Sequence, residues 1–150
     1  SNKFNLDLQN SRILDLFSGV GSFGIECLSR GAEKVVFVEN YIGVLPILKK
    51  NLSNLRLNKN YQIIEKNIYN DNTLSELNYK FEIIFFDPPY KDKNFIEILI
   101  KIKNENLLHK NGIIIIHRHK NEKDIFPPNF RVIDEKKYGV SKIIFLAILN

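Results

Sequence analysis

Arg12-Ile13-Leu14-Asp15-Leu16-Phe17-Ser18-Gly19-Val20-Gly21-Ser22-Phe23-Gly24 is the stretch from which the fold is read. Arg12 to Phe17 is a largely apolar run interrupted by Asp15, and reads as a strand. Ser18 to Gly24 is a glycine-rich turn. Phe23, Ile25, Cys27 and Leu28 then recur at spacings acceptable for a short helix from Ser22 to Arg30, with Gly31 placed to end it. Strand, glycine turn and helix in that order open a doubly wound α/β domain.

The rest of the chain continues the alternation. Lys34 to Glu39 reads as a second strand. A helix follows from about Ile42 to Leu55, with Val44, Leu45, Ile47, Leu48, Leu52, Leu55 and Leu57 near helical spacing and Pro46 tolerated in its first turn. Tyr61 to Glu65 is a third strand. Asp71 to Leu77 is a short helix capped by Asp71 or Asn72. Phe81 to Phe86 is a fourth strand, Asn94 to Leu108 an amphipathic helix, Asn111-Gly112 a turn, and Ile113 to Ile116 a fifth strand. His117 to Asp124 reads as a basic loop or short helix, and Phe126-Pro127-Pro128 breaks regular structure. Phe130 to Tyr138 and Lys142 to Leu149 are strands joined by Gly139-Val140-Ser141, close enough to form an antiparallel hairpin. The strands of the alternating part are continuous apolar runs, as helices on both faces of a parallel sheet require. The expected fold is a Rossmann-like doubly wound α/β domain. Its seven-stranded sheet is mostly parallel with an antiparallel C-terminal hairpin, and residues 1–150 form one domain with Ser1 to Ser11 as a lead-in.

Composition removes several function classes. Cys27 is the one cysteine, so no intrachain disulfide forms, and a reducing, cytoplasmic setting is expected. No cysteine or histidine spacing suggests a metal site. No apolar run has the length of a membrane span, so no membrane partner is expected. The net charge of +5 leans toward polyanionic partners, although a lysine-rich composition with no functional meaning produces the same number.

Gly19-Val20-Gly21-Ser22-Phe23-Gly24 is a literal G-x-G-x-x-G, and Glu39 lies at the end of the second strand. Taken alone this is a dinucleotide fingerprint, and an NAD-dependent oxidoreductase or a bare nucleotide-binding module stays open. The turn serves any nucleoside ligand equally: glycines let backbone approach it, and an acid can accept both ribose hydroxyls. Asp15 tilts the reading. A carboxylate inside the first strand repels a pyrophosphate but suits the ammonium and sulfonium of S-adenosyl-L-methionine; the plain alternative is a structural acid that braces the turn. Asn67 and Ile68 follow the third strand, where adenine would lie, although Asn after a strand is commonly a turn residue.

Asp87-Pro88-Pro89-Tyr90 discriminates further. Two prolines stop the fourth strand and leave a carboxylate and a carbonyl facing outward at its carboxyl end. An exocyclic amino group on a nucleobase needs such acceptors, because its lone pair is delocalised into the ring. Asp87 and the Pro88 carbonyl can take the two N–H hydrogens and turn the lone pair toward a methyl group, while Tyr90 stacks on the base for about 1–3 kcal/mol. Asp87 need not be a strong base, since the methylated nitrogen is cationic and sheds its proton readily; free Asp titrates at about 3.9. The plain alternative is a rigid strand-end turn. Lys91, Lys93, His117, Arg118, His119 and Lys120 follow strand tips, where an arriving polyanion would meet them, and a solvated basic loop explains them as well.

Asp-Leu-Phe-Ser-Gly-Val-Gly-Ser-Phe-Gly-Ile-Glu, Val-Glu-Asn and Asp-Pro-Pro-Tyr together resemble the RsmD-type family, S-adenosylmethionine-dependent guanine-N2 methyltransferases of bacterial 16S ribosomal RNA. The likeness runs from about Arg12 to the final hairpin. It implies Asp15, Phe17, Ser18, Gly19 and Gly21 at the methionine part of the cofactor, Glu39 at the ribose, Asn40 beside ribose or adenine, and Asn67 and Ile68 at adenine. It implies Asp87, Pro88, Pro89 and Tyr90 at the target base. The implied partner is 16S rRNA or the assembling small subunit, bound by a monomer. An adenine-N6 methyltransferase acting on DNA or RNA shares the four-residue turn and remains the alternative within the class. Many relatives carry Asp where Asn40 stands. The family's Arg- and Thr-rich segment before the first strand is not in this chain, which is expected to hold the cofactor without a full RNA grip.

Overall fold

Arg12–Leu16 forms the first strand, β1, at the centre of the sheet. The computed structural model describes residues 7–56 and 58–149; residues 1–6, Leu57, Asn150 and the side chain of Asp71 lie outside the described residues. The other elements are α1 (Ser22–Ser29), β2 (Lys34–Val38), α2 (Leu45–Ser53), β3 (Tyr61–Ile64), α3 (Asp71–Ser75), β4 (Phe81–Phe86), α4 (Phe95–Asn104), β5 (Leu108–His119), β6 (Phe130–Tyr138) and β7 (Ser141–Ile148). The sheet order is β3-β2-β1-β4-β5-β7-β6. β1 to β5 pair in parallel, and β7 is antiparallel to both of its neighbours. The strand order reverses at β1, so the carboxyl ends of β1 and β4 flank the crevice where such sheets bind ligands.

Register sorts the core. Ile13, Asp15, Val35, Phe37, Ile83 and Phe85 share one face. They lie in one cluster with Cys27 and Leu28 of α1 and Leu48 and Leu52 of α2, Asp15 being the polar exception. Leu14, Leu16, Val36, Val38, Ile84 and Phe86 face the other way, against Leu74 of α3 and Phe95, Ile98, Leu99 and Ile102 of α4. Two buried faces explain why the strand sequences are almost continuously apolar. At Gly24 a Cβ would stand 2.3 Å from a Phe37 ring carbon, so glycine is what lets α1 lie against β2. The expected stop at Gly31 is a Schellman motif: Gly31 N–H donates to Leu28 C=O and Ala32 N–H to Cys27 C=O, with Gly31 at φ 91°.

Three local expectations are corrected. The helix expected from Asn94 to Leu108 stops at Asn104, because Asn106 turns left-handed at φ 56° and Leu107 then pairs with β4 through Phe81 N–H. The expected turn at Asn111-Gly112 lies inside β5, where the register slips between the Phe81–Leu108 and Ile83–Ile113 pairs. His117, Arg118 and His119 are not a loop: they extend β5 and pair with Ile143, Lys142 and Ser141, since β7 lies alongside to accept them. In addition, Asn70 takes the cap position of α3, without a side-chain bond. Among the described residues no helix is long and apolar enough to cross a membrane.

Candidate active site

The turn after β1 is tightly determined. Phe17, Gly19 and Gly21 all have positive φ, at 57°, 57° and 89°. Phe17 adopts that conformation without glycine's freedom, half-buried beside the Tyr69 ring at 6.1 Å. The Ser18 hydroxyl donates to the Asp15 carbonyl at 2.6 Å, and Gly21 N–H closes the turn on the Ser18 carbonyl at 2.9 Å. Asp15 itself is 1% exposed. Its Oδ2 accepts Gly24 N–H at 3.2 Å, so it caps α1 from the neighbouring strand. Its Oδ1 is buried with no hydrogen-bond partner. Burial holds this carboxyl well above the ordinary range; the Gly24 hydrogen bond opposes that, and the Asp87 and Glu39 charges add to it.

Glu39 follows β2 and folds back over the turn. Oε1 accepts Gly19 N–H at 2.8 Å, and Oε2 accepts the Asn40 and Tyr41 N–H groups at 3.2 and 3.0 Å. Asn67 makes a local turn, with Oδ1 accepting Tyr69 N–H at 2.9 Å and its carbonyl accepting the Thr73 hydroxyl. Ile68 is 5% exposed and its side chain belongs to the core under α3 and α4, while Asn40 and Asn67 are exposed. Tyr69 reaches Asp92 with its hydroxyl, which ties the segment after β3 to the segment after Tyr90. Burial and then that hydrogen bond push the Tyr69 phenol well up.

Asp87 N–H donates to the Leu16 carbonyl at 3.3 Å, carrying the β1–β4 pairing one residue past the strand. Pro88 is buried, whereas Asp87, Pro89 and Tyr90 are exposed. Tyr90 meets His119 edge-on, ring centroids 5.0 Å apart at 86°. Asp87 Oδ1 lies 2.9 Å from His117 Nδ1, and His117 Nε2 lies 2.8 Å from the Ser141 hydroxyl oxygen. Ser141 was not among the residues expected at the site, and His117 was expected there only as part of a basic loop meeting a polyanion, not as a partner of Asp87. The apolar runs of β4 and β5 both end in a polar residue, and that shared ending is the signal that sets Asp87 beside His117.

The basic groups expected to greet a polyanion divide. Arg118 is 2% exposed, lies over the Phe95 ring at 4.7 Å and pairs with Asp124 at 2.9 Å, so it is a buried structural cation. It points to the α4 face because its neighbours His117 and His119 take the other one. Lys93 reaches Glu122 and Asp124, each at 3.4 Å. Lys91 and Lys120 remain exposed.

A cleft of about 690 Å³ runs from Asp15, Ser18 and Gly19 past the stacked Phe23 and Phe85 rings to His117. A smaller recess of about 190 Å³ lies on the far side of Asp87, beside Pro88, Tyr90 and His119. Glu39, Asn40, Asn67 and Ile68 line neither. The cleft brings an unpartnered buried carboxylate oxygen and the Asp87 carboxylate together, with the Glu39 carboxylate close enough to act on Asp15. Such a wall favours a cationic ligand and opposes a pyrophosphate.

Residues 2–147 match the family described as conserved hypothetical protein 95. The chain belongs to this family. It is 31% identical to ribosomal RNA small subunit methyltransferase D of Haemophilus influenzae over 89% of this chain and 69% of that protein. To the putative rRNA methyltransferase YlbH of Bacillus subtilis it is 35% identical, over 69% of this chain and 57% of the relative. A solved structure of a putative methylase from Haemophilus influenzae superposes with a TM-score of 0.79 at 28% identity, covering 95% of this chain and 89% of that one. The RsmD-type resemblance read from the sequence is borne out, as is the doubly wound fold. These relatives are named as methyltransferases or a methylase, so the glycine turn sits in a methyltransferase family rather than an oxidoreductase one. The chain spans between about three-fifths and seven-tenths of the two curated relatives' lengths.

Proposed function

We propose that this chain is the catalytic domain of a cytoplasmic, S-adenosyl-L-methionine-dependent methyltransferase. Its target is the exocyclic N2 amino group of a guanine in 16S ribosomal RNA, naked or in the assembling small subunit. The observation that carries the reading is adjacency. Asp87 stands at the tip of β4 with its carboxylate half-exposed and its backbone N–H donating to the Leu16 carbonyl at the tip of β1, beside the acid-lined glycine turn.

The residues fit the cofactor. S-adenosyl-L-methionine, when bound, supplies a methyl group on a sulfonium sulfur. The orphaned Asp15 oxygen and the turn's backbone groups would hold its amino acid end. Glu39 would exchange its hydrogen bonds to loop N–H groups for ribose hydroxyls, with Asn40 beside it. Asn67 and the backbone at Ile68 would meet adenine. Asp87 and the Pro88 carbonyl accept the two amino hydrogens, which favours a tetrahedral nitrogen with its lone pair facing the cleft. Tyr90 stacks on the base. Catalysis on this reading is positioning and electrostatics, with no strong base required.

Mass spectrometry of ribosomal RNA from cells lacking the gene tests the proposal. The expected result is loss of one N2-methylguanosine, restored by the wild-type gene and not by Asp87→Ala. Loss of an N6-methyladenosine instead would remove guanine as the target, and rescue by Asp87→Ala would remove Asp87 from the mechanism.

A further inference from the structure

β4 and β5 run in parallel register to Phe86 and Ile116. One residue later Asp87 and His117 emerge side by side, with Oδ1 and Nδ1 2.9 Å apart. On the far side β7 places Ile143 opposite His117 and Ser141 opposite His119. Ser141 is therefore a diagonal neighbour of His117 on the same face, and its hydroxyl oxygen reaches Nε2 at 2.8 Å. Asp87, His117 and Ser141 are the three residues common to the walls of the larger cleft and the smaller recess. A group passing from a donor in one to an acceptor in the other crosses beside this hydrogen-bonded chain.

We propose that His117, itself held by Ser141, is a positioning residue that sets the Asp87 carboxylate for transfer; the inference rests on the methyltransferase reading above. Asp87 is half exposed, its side chain retaining 50% of its accessible surface, so packing alone does not fix its rotation. With Asp87 ionised, a bare lone pair on Nδ1 at 2.9 Å would face the carboxylate unfavourably, so Nδ1 carries the hydrogen and donates to Oδ1. Nε2 of the neutral ring then accepts from the Ser141 hydroxyl. In the charged ring it donates to the same oxygen, because a hydroxyl serves in either role. Oδ1 is thus engaged and Oδ2 is left to accept an N–H from the target amino group. The expectation that His117 serves a polyanion from a basic loop is replaced by this role at the reacting groups.

The test compares wild type, His117→Phe, His117→Asn and Ser141→Ala, using labelled S-adenosyl-L-methionine with 16S rRNA and with small subunits. Cofactor affinity is measured by calorimetry and folding by thermal melts. Asn places an amide nitrogen near the position of Nδ1 and so keeps a donor for Asp87. The expected result is a drop in kcat of about 10- to 100-fold for His117→Phe, with cofactor affinity and melting temperature close to wild type. His117→Asn should recover most of the rate, and Ser141→Ala should lose less than His117→Phe. A His117→Phe enzyme at the wild-type rate overturns the inference. So does an equal loss in the Phe and Asn variants that tracks lost thermal stability, which marks a role in folding alone. Nitrogen NMR of the His117 ring reads the contact without catalysis, and a signal unchanged by Asp87→Ala also counts against it. Wild-type protein that binds no S-adenosyl-L-methionine takes down the methyltransferase reading and this inference together; an active wild type with an equally active His117→Phe takes down only the latter, and for a chain that binds the cofactor but methylates neither RNA sample the NMR contact decides the inference.

Discussion

Asp15 concentrates the cost of the site in one side chain. One oxygen rests on Gly24 N–H and the other is buried without a partner. Its carboxyl is raised chiefly by burial, so the folded chain holds a proton there more tightly than the unfolded chain does. The stabilisation from that proton is fully present below the ordinary carboxyl value of about 3.9 and is lost as pH rises through the folded value. Asp15→Asn removes the ionisation while keeping an acceptor for Gly24. It should raise or preserve the urea midpoint at neutral pH and flatten its dependence on pH above about 4. The same variant should weaken S-adenosyl-L-methionine binding by about tenfold or more, read by calorimetry, because a charged partner for the ligand's ammonium is gone. Stability and binding moving in opposite directions would identify Asp15 as an acid kept for its ligand. A loss of both would leave it as a brace for the turn.

Among the elements, β5 carries opposite functions on its two faces. His117 and His119 face the site, while Arg118 turns to the α4 side and pairs with Asp124, both side chains 1% exposed. Glu122 and Lys93 extend the cluster to the segments flanking it. This cluster anchors the chain after β5 to the chain after Tyr90, and so fixes the back of the recess beside Tyr90. Arg118→Ala leaves the buried Asp124 side chain with only the half-exposed Lys93 at 3.4 Å and should cost about 3 kcal/mol in urea denaturation. The double variant Arg118→Met with Asp124→Leu should return most of that loss, since no uncompensated charge remains. Failure of the double variant to recover would show that the Phe95 contact, rather than the ion pair, supplies the stability.

Across the whole molecule, the proposed cofactor and base sites draw on different segments at one edge of the sheet, so occupancy should stabilise the domain as a unit. At a cofactor concentration about 100 times Kd, linkage supplies about 2.7 kcal/mol. For a domain of this size that corresponds to a rise in Tm of roughly 5–10 °C. S-adenosyl-L-methionine should produce the shift in a thermal melt and NAD should not. A shift with NAD alone would return the glycine turn to a dinucleotide role.

The alternation of apolar runs with amphipathic segments determined the doubly wound fold, because strands buried on both faces must be apolar throughout. The glycine turn and Asp87-Pro88-Pro89-Tyr90 were equally legible, since each imposes its backbone locally through positive φ or through proline. The candidate residues Asp15, Glu39 and Asp87 could be named from the sequence because each stands next to such a local signal. The extent of β5 could not be read this way: His117-Arg118-His119 is polar and becomes strand only because β7 lies beside it. The fate of Arg118 was hidden for the same reason, as a cation is a surface group until a buried Asp124 meets it. The link from Asp87 through His117 to Ser141 spans the ends of three strands far apart in sequence, and parallel and antiparallel register, a property of the assembled sheet, is what brings them within hydrogen-bonding distance.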